Sequence, residues 1–126
     1  MLLDTHALLW YTLEPAQLSA RVSRALKKAT PDQICVSSAC FWEIALKVQR
    51  SQIDLGMDIQ SFCNAVQRLG LSIVPVDARQ WVDSVDLPWE HRDPVDRLLV
   101  ALATMKRWRL FSKDQIIQNY YPATYW

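Results

Sequence analysis

The feature that most constrains the fold is an alternation of short apolar runs with longer stretches of helical spacing along the whole chain. Apolar runs of this length are typical of buried strands. They predict strands at residues 1–3, 34–36, 72–76, 109–112 and 123–126. The stretches between them predict helices at residues 7–13, 19–28, 38–50, 58–69, 78–85, 94–107 and 115–120. Strands that alternate with helices favour a central, mainly parallel sheet with helices on both faces, so we expect a three-layer α/β/α fold.

The composition is that of one folded domain spanning residues 1–126. Hydrophobic residues make up 51% of the chain and only two residues are glycine, which excludes a disordered chain. The net charge is +1, so any nucleic-acid binding must come from a local patch. Three cysteines without metal-ligand spacing are typical of a reducing compartment, and no apolar run reaches membrane-spanning length. We therefore expect a cytoplasmic protein with no membrane partner.

The chain contains six tryptophans, which is many for its length. The three in predicted helices, which we expect in the core, are Trp42, Trp81 and Trp108. The three near element ends or loops are Trp10, Trp89 and Trp126. Core packing is the default for the second group too, but a protein interface or base stacking would also use them.

One predicted helix begins with two acids. Asp93 is placed to cap the helix, Pro94 suits its first position, and Asp96 follows Asp93 by three residues. The two carboxylates therefore share one face at the positive end of the helix dipole. Taken alone, this stretch is explained by capping, and only the rest of the chain favours a further role.

Three more segments bring an acid to the end of an apolar element. Asp4 and Asp114 each follow a predicted strand, and Glu43 lies in an apolar, hence buried, helix after the second strand. Ligands of parallel sheets collect at the carboxyl ends of the strands, so one cleft can collect all these acids. Each acid also has a structural alternative. Asp4 would be a strand-end cap, Asp114 a solvated turn residue, and Glu43 the partner of Lys47 in a buried ion pair.

Carboxylates gathered in one cleft repel one another. A pair ~4 Å apart costs about 1 kcal/mol in water and about 4 kcal/mol at an intermediate dielectric. Either the pKa values rise, or a hard divalent cation such as Mg²⁺ or Mn²⁺ binds. Such a cation activates water and neutralises phosphoryl charge, which is the chemistry of phosphodiester hydrolysis. With two histidines and two glycines in the chain, a three-histidine zinc site is excluded and glycine-rich nucleotide loops are effectively excluded.

Four segments, in order and with family-like spacing, resemble the acidic segments of the PIN domain. They are residues 2–10 (LLDTHALLW), 37–47 (SSACFWEIALK), 91–101 (HRDPVDRLLVA) and 110–114 (LFSKD). The chain looks most like the small prokaryotic PIN toxins of VapC type. It departs from the family pattern at Val95, where an aromatic residue is usual, and at Ser112, where threonine is more frequent. Neither change removes a carboxylate.

The resemblance implies an endoribonuclease that depends on Mg²⁺ or Mn²⁺ and hydrolyses RNA with metal-activated water. It also implies a homodimer and a small inhibitory antitoxin as partner. The residues that match the family's acidic quartet are Asp4, Glu43, Asp96 and Asp114. Asp93 matches an additional acid, and which of Asp93 and Asp96 contacts the metal stays open. We favour Asp96, because it immediately precedes the apolar run. Asp114 would act in the outer sphere or on a second metal ion.

Further residues are expected around the acidic cleft. Thr5 and Ser112 carry hydroxyls that would orient a water, although hydroxyls at strand ends also form turns. His6 is expected to be structural. Contacts to RNA phosphates would let an anionic cleft hold an anionic polymer. The candidates for those contacts are Lys47, Arg92, Arg97 and Lys113.

Two other functions are carried as alternatives. A non-catalytic PIN-like module would bind metal, a peptide or RNA in the same cleft without cleaving RNA. A phosphatase of the haloacid-dehalogenase type would use Asp4 as a covalent nucleophile. That chemistry wants a second aspartate two residues further on, where this chain has His6.

Overall fold

The structure, a computed structural model, describes residues 1–126. Its strands are β1 (Leu2–Leu3), β2 (Cys35–Ser37), β3 (Ser72–Val74), β4 (Leu110–Phe111) and β5 (Thr124–Tyr125). Its α-helices are α1 (Thr5–Thr12), α2 (Ala20–Lys28), α3 (Ser38–Gln49), α4 (Ile59–Arg68), α5 (Ala78–Val85), α6 (Pro94–Lys106) and α7 (Gln115–Tyr120). Two short 3₁₀ helices cover Pro15–Gln17 and Pro31–Gln33. Every predicted strand and helix is present, with ends that differ by a few residues.

The five strands form one sheet in the order β3-β2-β1-β4-β5, and every neighbouring pair is parallel. This confirms the predicted α/β/α architecture with a parallel sheet. The chain moves outward in one direction from β1 to β3, then crosses back to place β4 on the other side of β1. The strand order therefore reverses between β1 and β4, and in open parallel sheets ligands bind at such a point.

The sheet and one face of each long helix enclose the core. Leu2 and Leu3 of β1 are fully buried, as are Leu99 and Val100 in α6. Helix α6 contributes six buried residues, more than any other helix, because its sequence is apolar on almost every side after Asp96. No helix combines the length and apolar character needed to cross a membrane.

The prediction that the helical tryptophans lie in the core is wrong for two of the three. Trp42 is 54% exposed and Trp81 is 37% exposed, while Trp108 is half-buried and packs against the core. Helix α3 buries the face that carries Cys40 and Ile44, so Trp42, midway between them, points away from the sheet. Helix α5 is short and buries only a serine.

Helix α1 begins at Thr5, two residues earlier than predicted. The Asp4 carboxylate accepts a hydrogen bond from the backbone N–H of Ala7 at 2.6 Å, which makes Asp4 the N-cap. Thr5 is thereby the first helical residue, and its hydroxyl is free to bond elsewhere.

Candidate active site

Asp4 lies where β1 ends and α1 begins, and it is almost fully buried at 5% exposure. Its backbone N–H donates to Phe111 at the end of β4 at 3.0 Å, which places Asp4 at the point where the strand order reverses. Burial, which penalises the charged form, raises the pKa of Asp4 to about 6. Hydrogen bonds from Ser112 and from the Ala7 N–H oppose this rise, and the negative charges of Glu43 and Asp114 add to it.

Glu43 reaches the same edge of the sheet from α3. One carboxylate oxygen accepts from the Thr5 hydroxyl at 2.5 Å, and the other lies 3.3 Å from the ammonium of Lys47. The side chains of Glu43 and Lys47 are only 16% and 26% exposed. The ion pair considered as the structural alternative for Glu43 therefore exists, and it exists within the acidic cleft. It also engages Lys47, which was a candidate for phosphate contacts.

Asp93 and Asp96 divide two roles at the start of α6. Asp93 caps the helix by accepting from the backbone N–H groups of Val95 at 2.9 Å and Asp96 at 3.2 Å. The Asp96 carboxylate instead lies 2.8 Å from the Nε2 atom of His91. Burial raises the pKa of Asp96 to about 6. The His91 hydrogen bond opposes this rise, and the charges of Asp93 and Glu43 add to it. Asp96 therefore lies within the influence of the Glu43 charge, while Asp93 serves first as a cap.

His91 is the site residue that the sequence interpretation missed. Its ring stacks on Trp89, with ring centroids 4.3 Å apart, and Trp89 stacks in turn on Tyr120 at 4.6 Å. The signal was its position two residues before the capping Asp93, where the chain turns back over the first turn of the helix. A polar ring at that position is within reach of an acid in the first turn.

Asp114 and Ser112 follow β4 beside Asp4. Ser112 is fully buried, and its hydroxyl oxygen accepts from the Asp114 N–H at 3.1 Å. Asp114 is exposed and caps α7 by accepting from the N–H groups of Ile116 at 2.6 Å and Ile117 at 3.1 Å. Its charge nevertheless acts on Asp4. The carboxylate combines a capping role with a place at the rim of the cleft.

The prediction that Arg97 contacts RNA phosphates is contradicted by its hydrogen bonds. Its guanidinium points back into the loop between α5 and α6 and donates to five backbone carbonyl groups there. The acceptors are Ser84 at 3.0 Å, Val85 at 2.9 Å, Leu87 at 3.0 Å, His91 at 3.3 Å, and Trp89. The planar guanidinium carries five N–H donors, and all five are used in these hydrogen bonds. No donor is therefore free to bind a phosphate. Arg92 and Lys113, by contrast, are exposed.

The acidic side chains lie near one edge of the sheet but do not form a complete metal-binding site. The charges of Glu43 and Asp114 act on Asp4, and those of Glu43 and Asp93 act on Asp96, so Glu43 lies close enough to both acids to raise the pKa of each. No three side chains of His, Cys, Asp or Glu are arranged closely enough to hold a metal ion. The donors fit Mg²⁺ or Mn²⁺ by their chemistry, because these ions take carboxylate oxygens. Mg²⁺ also needs only one or two of them and keeps several waters.

Comparison with known proteins gives a consistent result. A family model described as "PIN domain" matches residues 1–121. Ribonuclease VapC22 of Mycobacterium tuberculosis is 31% identical over 132 residues, covering 100% of this chain and 98% of the relative. A toxin–antitoxin complex from Klebsiella pneumoniae contains a similar chain, with a TM-score of 0.67 and 17% identity over 99% of this chain and 95% of that one. The structure of M. tuberculosis VapC20, a sarcin-ricin loop cleaving toxin, has a TM-score of 0.58 and 14% identity over 94% and 92% of the two chains. At these identities the two structures show a shared fold.

Proposed function

The chain belongs to the PIN-domain family, and from that premise we propose that it is an endoribonuclease of VapC type. Its substrate would be RNA, and Mg²⁺ or Mn²⁺ would be its cofactor. The observation that carries the proposal is a buried acid, Asp4, and a half-buried acid, Asp96, each with a pKa raised to about 6 and each under the influence of the Glu43 charge. Burying these carboxylates, and holding like charges near one another, costs stability, which a divalent cation would offset.

Each acid of the proposed site is oriented by a neighbour. We assign Asp4, Glu43 and Asp96 to the metal, with Asp114 in the outer sphere or on a second ion. The Ala7 N–H holds Asp4, the Thr5 hydroxyl holds Glu43, and His91 holds Asp96, so each carboxylate is fixed by a hydrogen bond. When bound, the cation supplies a water of lowered pKa and neutralises charge on the phosphoryl oxygen. The exposed Arg92 and Lys113 would contact the flanking phosphates.

We further propose that the protein is the toxin of a toxin–antitoxin pair, acts in the cytoplasm and forms a homodimer. The relatives support the first point, since one is a VapC ribonuclease and another comes from a toxin–antitoxin complex. Exposed apolar side chains on α5 and at the end of α6 support a protein interface. They are Trp81, Val82, Val85 and Met105.

The decisive experiment compares RNA cleavage by the parent chain and by Asp4→Asn, each purified free of antitoxin. Chelator should abolish cleavage, Mg²⁺ or Mn²⁺ should restore it, and Asp4→Asn should lower the rate at least about 100-fold. Asparagine keeps the oxygen that accepts from Ala7, so the helix cap survives and the protein stays folded.

The matched control is Asp58→Asn. Asp58 is also the N-cap of a helix, α4, but it is exposed and lies outside the acidic cleft. The Asp58→Asn variant should cleave RNA at the parent rate. Cleavage that persists in chelator, or that survives Asp4→Asn, would contradict the proposed mechanism. RNA or metal binding without any cleavage would favour the non-catalytic binding module instead.

A further inference from the structure

A cleft opens beside Asp4 on the side of α1. It is lined by Asp4, His6, Trp10, Lys113 and Asp114, and it encloses about 360 Å³, within the usual size range of small-molecule sites. His6 and Trp10 are four residues apart on α1 and therefore share one face of that helix. We call this depression the α1 cleft. It places aromatic rings and one cation directly beside two of the proposed catalytic acids.

The Trp10 ring in the α1 cleft is held in place before any ligand binds. Trp126 packs against it with ring centroids 5.4 Å apart, and His6 lies 5.7 Å away at a tilt of 41°. The Lys113 ammonium lies over the ring, 5.6 Å from its centroid. A ring fixed in this way loses little conformational freedom when a planar ligand stacks on it. The ring also lines the α1 cleft, so a ligand in the cleft can reach it.

Lys113 is available to bind an anion. It is exposed and forms no salt bridge, whereas Lys47, on the other side of the acidic cluster, is paired with Glu43. Asp4 and Asp114 give the α1 cleft a negative charge that would repel a phosphate. Lys113 is the one cation in the lining that offsets this charge. The α1 cleft therefore combines a stacking surface with a phosphate contact.

We infer that the α1 cleft binds one unpaired nucleotide of a single-stranded RNA next to the bond to be cleaved. The base stacks on Trp10 in the place that the Lys113 ammonium occupies, and the ammonium moves to the neighbouring phosphate. This inference rests on the proposed ribonuclease function. Single-stranded RNA is the ligand class that fits, because its unstacked bases can be laid on aromatic side chains, whereas the bases of a duplex are already stacked.

A second depression on the other side of the cluster makes a useful contrast. It is lined in part by Trp42, Glu43, Lys47, Arg50 and Asp93. Trp42 is 54% exposed, and no aromatic partner fixes its ring. We therefore assign the base to the α1 cleft, where the ring is already oriented.

The test measures RNA binding apart from cleavage. Asp96→Asn, a substitution outside the α1 cleft, serves as the background, and chelator is present throughout. The probe is a fluorescein-labelled, mixed-sequence single-stranded RNA of twelve nucleotides, and the readout is the Kd from fluorescence anisotropy. Adding Trp10→Ala should raise the Kd about tenfold, while Trp10→Phe should recover most of the affinity. Adding Lys113→Ala should lower the slope of log Kd against log salt concentration by about 0.7.

Two matched controls lie away from the α1 cleft. Leu69→Ala removes an exposed large apolar side chain directly after α4, and Lys28→Ala removes an exposed lysine at the end of α2. Both should leave the Kd for single-stranded RNA unchanged. A fully paired duplex of the same sequence should be insensitive to Trp10→Ala.

The outcomes separate this inference from the proposed function. RNA binding that depends on Trp10, in a parent chain that cleaves no RNA, would support the nucleotide site and overturn the ribonuclease proposal. Cleavage by the parent, with a folded Trp10→Ala variant whose Kd and KM are unchanged, would overturn the nucleotide site alone. If Trp10→Ala does not fold, the test rests on Lys113→Ala. An unchanged slope of log Kd against log salt concentration in that variant would overturn the inference.

Discussion

Asp4 is buried and Asp96 is half-buried, and both have a pKa raised to about 6, but the chain holds them in different ways. Asp4 directly follows the central strand, and its backbone is hydrogen-bonded to β4. Asp96 stands one turn into α6, after a loop without regular structure, and its carboxylate depends on the ring of His91. The position of Asp4 is a consequence of the sheet, whereas that of Asp96 depends on side chains.

Arg97 is the residue that compensates for the missing regular structure. It donates hydrogen bonds to five backbone carbonyls between residues 84 and 91, and these bonds fix the segment that carries Trp89 and His91. On the Asp4 side, sheet hydrogen bonds perform the same task and involve many residues. The two sides of the site should therefore respond very differently to the loss of a single side chain.

The largest effect is expected for Arg97→Ala. Removing the guanidinium leaves partly buried carbonyls without donors, which should lower the free energy of unfolding by at least about 3 kcal/mol. The melting temperature should fall by roughly 10 °C, as measured by circular dichroism. Arg97→Lys should rescue little of this loss, because an ammonium cannot reproduce the planar fork.

The region that is destabilised in Arg97→Ala can be tested as well as the loss of free energy. In Arg97→Ala, trypsin should cleave after the exposed Arg92 much faster than in the parent, because the loop no longer has a fixed conformation. Arg24→Ala, an exposed arginine on α2 that forms no salt bridge, provides the control. If Arg97→Ala melted like the parent and its loop resisted trypsin equally, the loop would not depend on this arginine.

The same contrast explains what the sequence could predict. The strands, the helices and the places of Asp4, Glu43 and Asp114 follow from local patterns, namely apolar runs, helical spacing and acids at element ends. Arg97 carries no such signal, because an arginine in the first turns of a helix is ordinarily solvated. Its acceptors are up to thirteen residues away, and only the packing of α5 against α6 brings them within reach.

The tryptophans show the same limit. Composition favours burial for Trp42, but which face of α3 meets the sheet is decided by Cys40 and Ile44, and Trp42 lies on the other face. A helix that is apolar on nearly all sides gives no reliable indication of its buried face. His91 was missed for a related reason, since its role depends on how the loop turns back onto α6.

A smaller effect is expected from pH in the metal-free protein. The pKa of Asp4 rises from 3.8 to about 6 on folding, so the folded state binds the proton more tightly than the unfolded state. The stability that this provides is fully present below pH 3.8 and is lost as the pH rises through about 6. At pH 8, in chelator, Asp4→Asn should therefore be more stable than the parent by about 2 kcal/mol.

Asp96→Asn provides a second variant in which to test this pH dependence of stability. Asp96 has a pKa raised to a similar value, but its charged form also accepts a hydrogen bond from His91, which the uncharged amide replaces less well. Asp96→Asn should therefore gain less stability at pH 8 than Asp4→Asn. Urea unfolding at pH 4 and pH 8 measures the free energy of unfolding of both variants and of the parent. If a variant differed from the parent by the same free energy at both pH values, the raised pKa of that acid would not affect stability, and the prediction would be refuted.

The smallest effect is expected at Thr5, which links the two sides by holding Glu43. Thr5→Val keeps the shape of the side chain but removes the hydroxyl that donates to Glu43 at 2.5 Å, and Lys47 remains as the only partner. The free energy of unfolding should fall by about 1 kcal/mol. RNA cleavage should fall about tenfold, because a loosely held carboxylate would orient the proposed metal ion poorly. Thr5→Ser, which keeps the hydroxyl, should recover both quantities. If Thr5→Ser behaved like Thr5→Val, the methyl group rather than the hydrogen bond would be responsible, and Glu43 would be held by Lys47 alone.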